Sequence, residues 1–335
     1  MGRGPSTPGP AGSRATERLA PDGAGLARAT ELLAGGGLVA FPTETVYGLG
    51  ADGRDDAAVA RLYAAKERPR FNPLIAHLAN VGAARREGVF GAAAEALAAA
   101  FWPGPLTLVL PAAPTCSVCE LARAGLDSVA LRVPSHELAH SLLQAAGFPI
   151  VAPSANRSGR ISPTDAAHVL SELDGRIEAV VEGGPTRVGI ESTIVSCLEP
   201  VPILLRPGGI AREAIETVLG MALAAPGPSG SKPIAPGALA SHYAPHALVR
   251  LEADAIRPGE AALLFGAVQP PGLDGAVTVL NLSPAGDLAE AAANLFGHLR
   301  RLDASGAATI AVTPVPVHGL GEGINDRLQR AAAER

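Results

Sequence analysis

Apolar residues recur at helical spacing from Leu26 to Leu33 and stop at Gly35-Gly36-Gly37, after which LVAFPTET reads as a buried strand running into a proline turn. Helices are predicted again over 56–66 and 91–101, whereas TLVLP, SVALRVP, PIVAPS, AVVEGG, STIVSC and PILLRPGG are short β-branched runs punctuated by Pro or Gly. That alternation predicts an α/β domain. Past a helix beginning near Arg212, the stretch AAPGPSGSKPIAPGA loses all periodicity and reads as an interdomain linker. Beyond it, EAALLFGA, AVTVLNLS and ATIAVTPVPV read as strands, with a helix from Asp287 to Leu302 between the last two. The expected organisation is a disordered leader over 1–24, a large domain over 25–218, a linker or lid over 219–246, and a small α/β domain over 247–332. No repeat of fixed period is present.

Composition narrows this picture. A length of 335 residues suits about two domains, and 47% hydrophobic residues are ample for a folded core. Aromatics are only 3%, so Ala, Val, Leu and Ile must build that core, and little is left over for stacking bases. The net charge of −5 and the pI near 5.9 argue against bulk attraction of phosphate polymers, so any anion site must be local and no stable nucleic-acid binding is expected. Three cysteines do not suggest a disulfide framework and fit a reducing compartment. No uninterrupted apolar stretch reaches membrane-spanning length, and MGRGPSTPGPAGSR lacks a signal-peptide apolar region. The cytoplasm is the expected location, without a membrane partner.

Chemistry is concentrated in a few segments. FPTETVYGLG puts Thr43, Glu44, Thr45 and Tyr47 just past a strand end, where open α/β sheets assemble ligand sites. A turn whose Thr and Glu satisfy backbone groups fits the same spacing. In KERPRFNPLIAH, Lys66, Arg68 and Arg70 cluster at a helix end before a strand carrying His77. Three cations in an otherwise acidic chain suit a triphosphate, although on these residues alone a solvated helix C-terminus offsetting the dipole is the more ordinary reading. VAPSANRSGRISPT gathers Ser154, Asn156, Ser158, Ser162 and Thr164 on a strand-to-loop corner, where small polar side chains suit phosphate or ribose oxygens or simply form turns. VGIESTIVSC and LLRPGG add Ser192, Thr193 and Arg206. Two further patterns are set aside. Cys116, Cys119, His136 and His140 have zinc-finger spacing, but a strand-like run fills the interval where a finger would begin its helix. Gly319, Gly321 and Gly323 lack dinucleotide spacing and are read as a loop before the terminal helix.

Taken in order, PTETVYGLG, KERPRFNPL, WPGPLTLVL, ALRVP, APSANRSGRISPT, GIESTIV and LLRPGG resemble the threonylcarbamoyl-AMP synthase family, with HYAP and GINDRL resembling its long, two-domain form. The resemblance implies a YrdC-like twisted mixed sheet with flanking helices around a deep cavity, plus a smaller Rossmann-like domain. It implies an enzyme, a nucleotidyltransferase, that joins L-threonine, bicarbonate and ATP into threonylcarbamoyl-AMP for a tRNA modification, with Mg2+ accompanying ATP and a downstream tRNA threonylcarbamoyl transferase as partner. Carried over by motif, Thr43, His77, Arg132 and Ser192 hold threonine. Lys66, Arg68, Arg70, Thr107, Ser154, Asn156 and Arg206 hold ATP, with Lys66 and Arg68 also catalytic, and Tyr243 closes over the cavity. One departure stands out: Ala238, Leu239, Ala240 and Ser241 lie where the family linker often carries Lys and Tyr. The competing readings are an RNA-binding module and a carbamoyl-adenylate-forming maturation factor. The acidic balance counts against the first and the lack of extra zinc-finger or acylphosphatase-like modules against the second.

Overall fold

The alternating runs fold into two sheets, seen in a computed structural model that describes residues 15–226 and 242–333. Ten strands form the large sheet: β1 (Glu17–Leu19), β2 (Val39–Phe41), β3 (Gly48–Asp52), β4 (Ile75–His77), β5 (Leu106–Pro111), β6 (Ser128–Arg132), β7 (Ile150–Val151), β8 (Ala179–Val181), β9 (Thr193–Ser196) and β10 (Ile203–Arg206). Their order is β1-β8-β2-β3-β7-β4-β6-β5-β9-β10, with parallel and antiparallel pairs mixed. Packed with it are α1 (Gly23–Ala34), α2 (Asp56–Lys66), α3 (Val81–Glu87), α4 (Ala92–Phe101), α5 (Glu137–Ala146), α6 (Ala166–Leu173) and α7 (Arg212–Leu219). The small sheet, β11 (Leu248–Arg250), β12 (Ala261–Leu264), β13 (Val279–Asn281) and β14 (Thr309–Val312), is all parallel in the order β11-β14-β12-β13. It packs with α8 (Leu288–Asp303) and α9 (Leu320–Ala332).

The mixed α/β class and the small parallel domain match expectation. Three details do not. The segment expected to be a disordered leader through residue 24 instead supplies β1, which pairs in parallel with β8, and the first turn of α1, where the Asp22 side chain accepts from Gly25 N at 2.9 Å; residues 1–14 lie outside the described residues. Gly321 and Gly323 belong to α9 rather than to a loop before it, because the missing side chains let the helix approach its neighbours. A Cβ on Gly321 would lie 1.9 Å from the Pro316 carbonyl oxygen, and one on Gly323 would lie 3.3 Å from Gly208. Strand β3 reads GLGAD, a poor strand by propensity. Its glycines serve close approach: a Cβ on Gly50 would stand 2.9 Å from the Phe41 ring.

Two features of this fold matter for the site. α2 ends at Glu67 in the left-handed region (φ 54°), and the Glu67 carboxylate binds Arg157 at 2.6 Å and Arg176 at 2.9 Å. This tight stop turns Lys66 inward and starts the loop that carries Arg68. The two domains also share one apolar core, in which Val46, Ile161 and Ile190 of the large part meet Tyr243, Phe296, Ile324 and Leu328. Around it, Arg300 pairs with Glu172 at 2.6 Å, and Ala244 N donates to the Gly159 carbonyl at 2.9 Å. The cavity wall built at this seam is therefore held from both sides.

Candidate functional site

The strand-to-loop corners converge on a cavity lined by Thr45, Val46, Arg68, Ile75, His77, Arg132, Ala152, Pro153, Ser154, Glu191, Ser192, Arg206, His242 and Tyr243. Parallel pairing of β4 with β6 sets His77 opposite Arg132, and parallel pairing of β5 with β9 puts Thr107 opposite Ile194, two residues beyond Ser192. Sheet register thus sets side by side residues far apart in the chain.

Of the residues singled out from sequence, Thr45, Arg68, His77, Arg132, Ser154, Ser192, Arg206 and Tyr243 line the cavity. Lys66, Asn156, Thr107 and Thr43 stand behind the wall. Lys66 is fully buried, and its Nζ donates to the carbonyls of Ser154, at 2.5 Å, and Asn156. Burial and the neighbouring Arg68 push the ammonium well below its ordinary pKa, while the two carbonyl contacts favour the charged form. Asn156 donates to the carbonyls of Arg157 and Arg160, both at 2.8 Å, and thereby shapes the loop. Thr107 Oγ1 and Ser192 Oγ share a hydrogen bond of 2.7 Å. Thr43 donates to the Val46 carbonyl at 2.7 Å, so the turn reading of that segment holds for its side chain. Tyr47 likewise turns away and donates to the Gly184 carbonyl at 2.9 Å. Arg70 is not brought to the cavity: it is exposed beside a separate shallow depression with Asp56 and Glu120, because the chain has left the tight turn by that point. Ala238 to Ser241 lie outside the described residues.

Charge in the cavity is organised in pairs. Arg132 stands 2.8 Å from Glu44, both side chains almost wholly buried, yet neither Glu44 oxygen has a well-aligned hydrogen bond. Arg206 grips Ser192 by three contacts, Nε and Nη2 to its carbonyl at 3.2 and 2.9 Å and Nη2 to its hydroxyl at 3.2 Å. Burial lowers the pKa of Arg206 and pushes Arg68 down to about 10. Each unpaired guanidinium would gain from an anionic ligand. Burial, then the Arg132 charge, pushes His77 down to about 3; its Nδ1 lies 3.2 Å from the Ile75 carbonyl, so that nitrogen carries the proton and Nε2 is left as an acceptor. His242 is also buried and pushed to about 3. Glu191 was missed in the sequence, although it sits in the quoted GIESTIV. Burial opposes its charge, but Arg327 and Arg206 outweigh that and hold it down at about 2.

These groups make the fold sensitive to acid in a defined window. A histidine free in the unfolded chain takes a proton near 6.5, whereas His77 and His242 refuse it until about 3. The stability that depends on their neutrality is complete above pH 6.5 and drains away as pH falls toward 3. Glu191 adds a loss of the same sign below its unfolded value of 4.5. Thermal denaturation between pH 8 and 4 is expected to show a steadily falling Tm below about pH 6; a flat profile would contradict neutral burial of these histidines.

Fold and cavity together define a two-domain protein built on a YrdC-like mixed sheet, with an anion-seeking cavity at the domain seam. The Sua5–YciO–YrdC family model, described as telomere recombination, matches residues 31–208, and the model of the threonylcarbamoyl-AMP synthase C-terminal domain matches residues 210–333. Threonylcarbamoyl-AMP synthase of Bacillus subtilis is 41% identical over 336 residues, covering 96% of either chain, and that of Pyrococcus abyssi is 42% identical over 318 residues, covering 90% of this chain and 92% of its own. The crystal structure of P. abyssi Sua5 complexed with L-threonine superposes with a TM-score of 0.85 at 38% identity, covering 95% of this chain and 97% of that one. The chain belongs to the threonylcarbamoyl-AMP synthase family.

Proposed function

We propose that this enzyme makes threonylcarbamoyl-AMP from L-threonine, bicarbonate and ATP, releasing pyrophosphate, for formation of N6-threonylcarbamoyladenosine in tRNA. One observation carries the reading: Arg68, Ser154 and Arg206 line the same cavity as His77, Arg132 and Ser192, so phosphate-seeking and amino-acid-seeking groups share one wall. Threonine's amine captures bicarbonate, losing water, to give N-carboxythreonine. The new carboxylate attacks the α-phosphate of ATP, and the bond to the β-phosphate's bridging oxygen breaks as pyrophosphate leaves. No covalent enzyme intermediate is required. Catalysis is then positioning and charge stabilisation, which makes this a nucleotidyltransferase reaction.

The residues divide accordingly. Arg132 takes the threonine carboxylate, and neutral His77 offers Nε2 as an acceptor to a threonine N–H or O–H. Ser192, fixed by Thr107 and Arg206, stands between the two substrates. Arg68 and Arg206 meet the phosphates, while Lys66 fixes the loop that presents Ser154. Tyr243, buried on Phe296 with ring centroids 5.4 Å apart, closes the cavity toward the small domain. Among the described residues no three His, Cys, Asp or Glu side chains converge as a metal cage. Mg2+ is proposed as a companion of the nucleotide's phosphates, a mode of binding that needs only one or two protein oxygens. No helix among the described residues is long and apolar enough to cross a membrane. A cytoplasmic site of action, with the product passing to a tRNA threonylcarbamoyl transferase, completes the proposal.

The discriminating assay is ATP-dependent pyrophosphate release with bicarbonate present. L-Threonine is expected to stimulate it strongly and L-serine about tenfold or more weakly, since one missing methyl in a fitted pocket is worth about 1–3 kcal/mol. Release that ignores the amino acid would overturn the proposal.

A further inference from the structure

Helix α9 carries a charged residue where its apolar stripe should continue. Ile324, Leu328 and Ala331 are buried, and so, on the same side, is Arg327, with no exposed surface at all. Its Nε donates to Glu191 Oε2 at 2.9 Å, and Nη1 donates to the Pro207 carbonyl and to Asp326 at 3.0 Å. Nη2 is buried without a partner. On the far side of Glu191, Ser162 Oγ donates to Oε1 at 2.5 Å.

A buried ion pair is a costly way to hold two domains together, because an apolar pair of similar volume would do so without desolvating two charges. The location supplies the reason. Glu191 lines the cavity next to Ser192, and Pro207 directly follows Arg206. Deprived of Arg327, the Glu191 carboxylate would be left to Arg206 alone among the cations that hold it, drawing on the charge meant for an incoming phosphate, and the backbone corner carrying Arg206 would lose its anchor. The glycines of α9 bring the helix close enough for this contact, with Gly323 packed against Gly208 and Ile190.

We infer that Arg327 is a positioning residue for the nucleotide, supplied by the small domain: by neutralising Glu191 and anchoring the Arg206–Pro207 corner, it makes the large domain's cavity receptive to a polyphosphate. This rests on reading the cavity as the ATP site, and it gives the second domain a part in binding beyond scaffolding. Glu191 is ionised throughout the working pH range, so the compensation is always needed.

The test uses the full chain as Arg327→Met, Glu191→Gln and the double variant, followed by pyrophosphate release and by calorimetry with a non-hydrolysable ATP analogue. Arg327→Met is expected to raise the ATP KM and the analogue Kd about tenfold while the threonine KM stays within about twofold. The double variant is expected to recover most of that loss, because the offending anion has gone. A loss spread equally over both substrates, or no recovery in the double variant, would overturn the inference in favour of a purely structural role. Should Arg327→Met fail to fold, Glu191→Gln decides alone: it removes an anion and keeps an acceptor for Ser162, so tighter analogue binding is expected, and a tenfold weakening would overturn the inference. Calorimetry reads the nucleotide site even if threonine-dependent turnover is missing, so failure of the proposed reaction and failure of this inference leave different traces.

Discussion

Arg132→Ala is expected to lower kcat/KM for threonine about a hundredfold or more, with the ATP KM changed far less. The guanidinium lines the cavity and lies in register with His77, so its loss removes the partner of the substrate carboxylate. It also strands Glu44, whose side chain is only 3% exposed and whose oxygens have no aligned donor in reserve. An uncompensated buried carboxylate should cost about 3–5 kcal/mol of stability, visible as a lower midpoint in urea. Adding Glu44→Gln should restore much of the stability without restoring threonine affinity. That separation distinguishes a substrate-binding cation from a structural one. If threonine kinetics recovered together with stability, Arg132 would be a structural cation after all.

Lys66→Ala is expected to depress pyrophosphate release at least as severely, mainly through ATP. The Nζ group bridges the carbonyls of Ser154 and Asn156 from a fully buried position; truncation removes the donor to the Asn156 carbonyl, while the Ser154 carbonyl keeps only the Asn156 N–H at 3.0 Å. The lost donor to the Asn156 carbonyl costs about 1–3 kcal/mol, and the loop that presents Ser154 to the cavity loses its tether. Steady-state kinetics should show kcat/KM for ATP reduced by about two to three orders of magnitude, with folding checked by circular dichroism. Unimpaired turnover would contradict the assigned role. The same geometry refines the sequence-based picture, in which Lys66, Arg68 and Arg70 formed one triphosphate clamp. The helix stop at Glu67 divides them: Lys66 turns in behind the wall, Arg68 enters the cavity, and Arg70 goes out to solvent.

How far the sequence foretold the molecule depends on what each residue's role required. β-Branched runs such as TLVLP and STIVSC announce their strands because branching and burial act together over a few neighbouring positions. GLGAD does not, since its glycines answer to the Phe41 ring packed across from them, a contact that exists only after folding. Strand β1 was hidden in the same way by the polar ERL, whose place depends on β8, about 160 residues away. The cavity's hydroxyls and arginines were legible as motifs because they cluster at strand ends and just past the stop of α2. Glu191 and Arg327 were not, as each makes sense only opposite the other across the domain seam. One local sign was available: an arginine spaced at i+3 from Ile324, on what should be an apolar stripe.

The proposed reaction requires two ligands to meet in one chamber at the domain seam. A crystal structure of the chain soaked with L-threonine and a non-hydrolysable ATP analogue tests this directly. The expected result is threonine between His77 and Arg132, with the triphosphate against Arg68, Ser154 and Arg206, close enough for the amine's carboxylated form to reach the α-phosphate. A nucleotide bound at the strand ends of the small sheet, or threonine held outside the Arg132 wall, would contradict it.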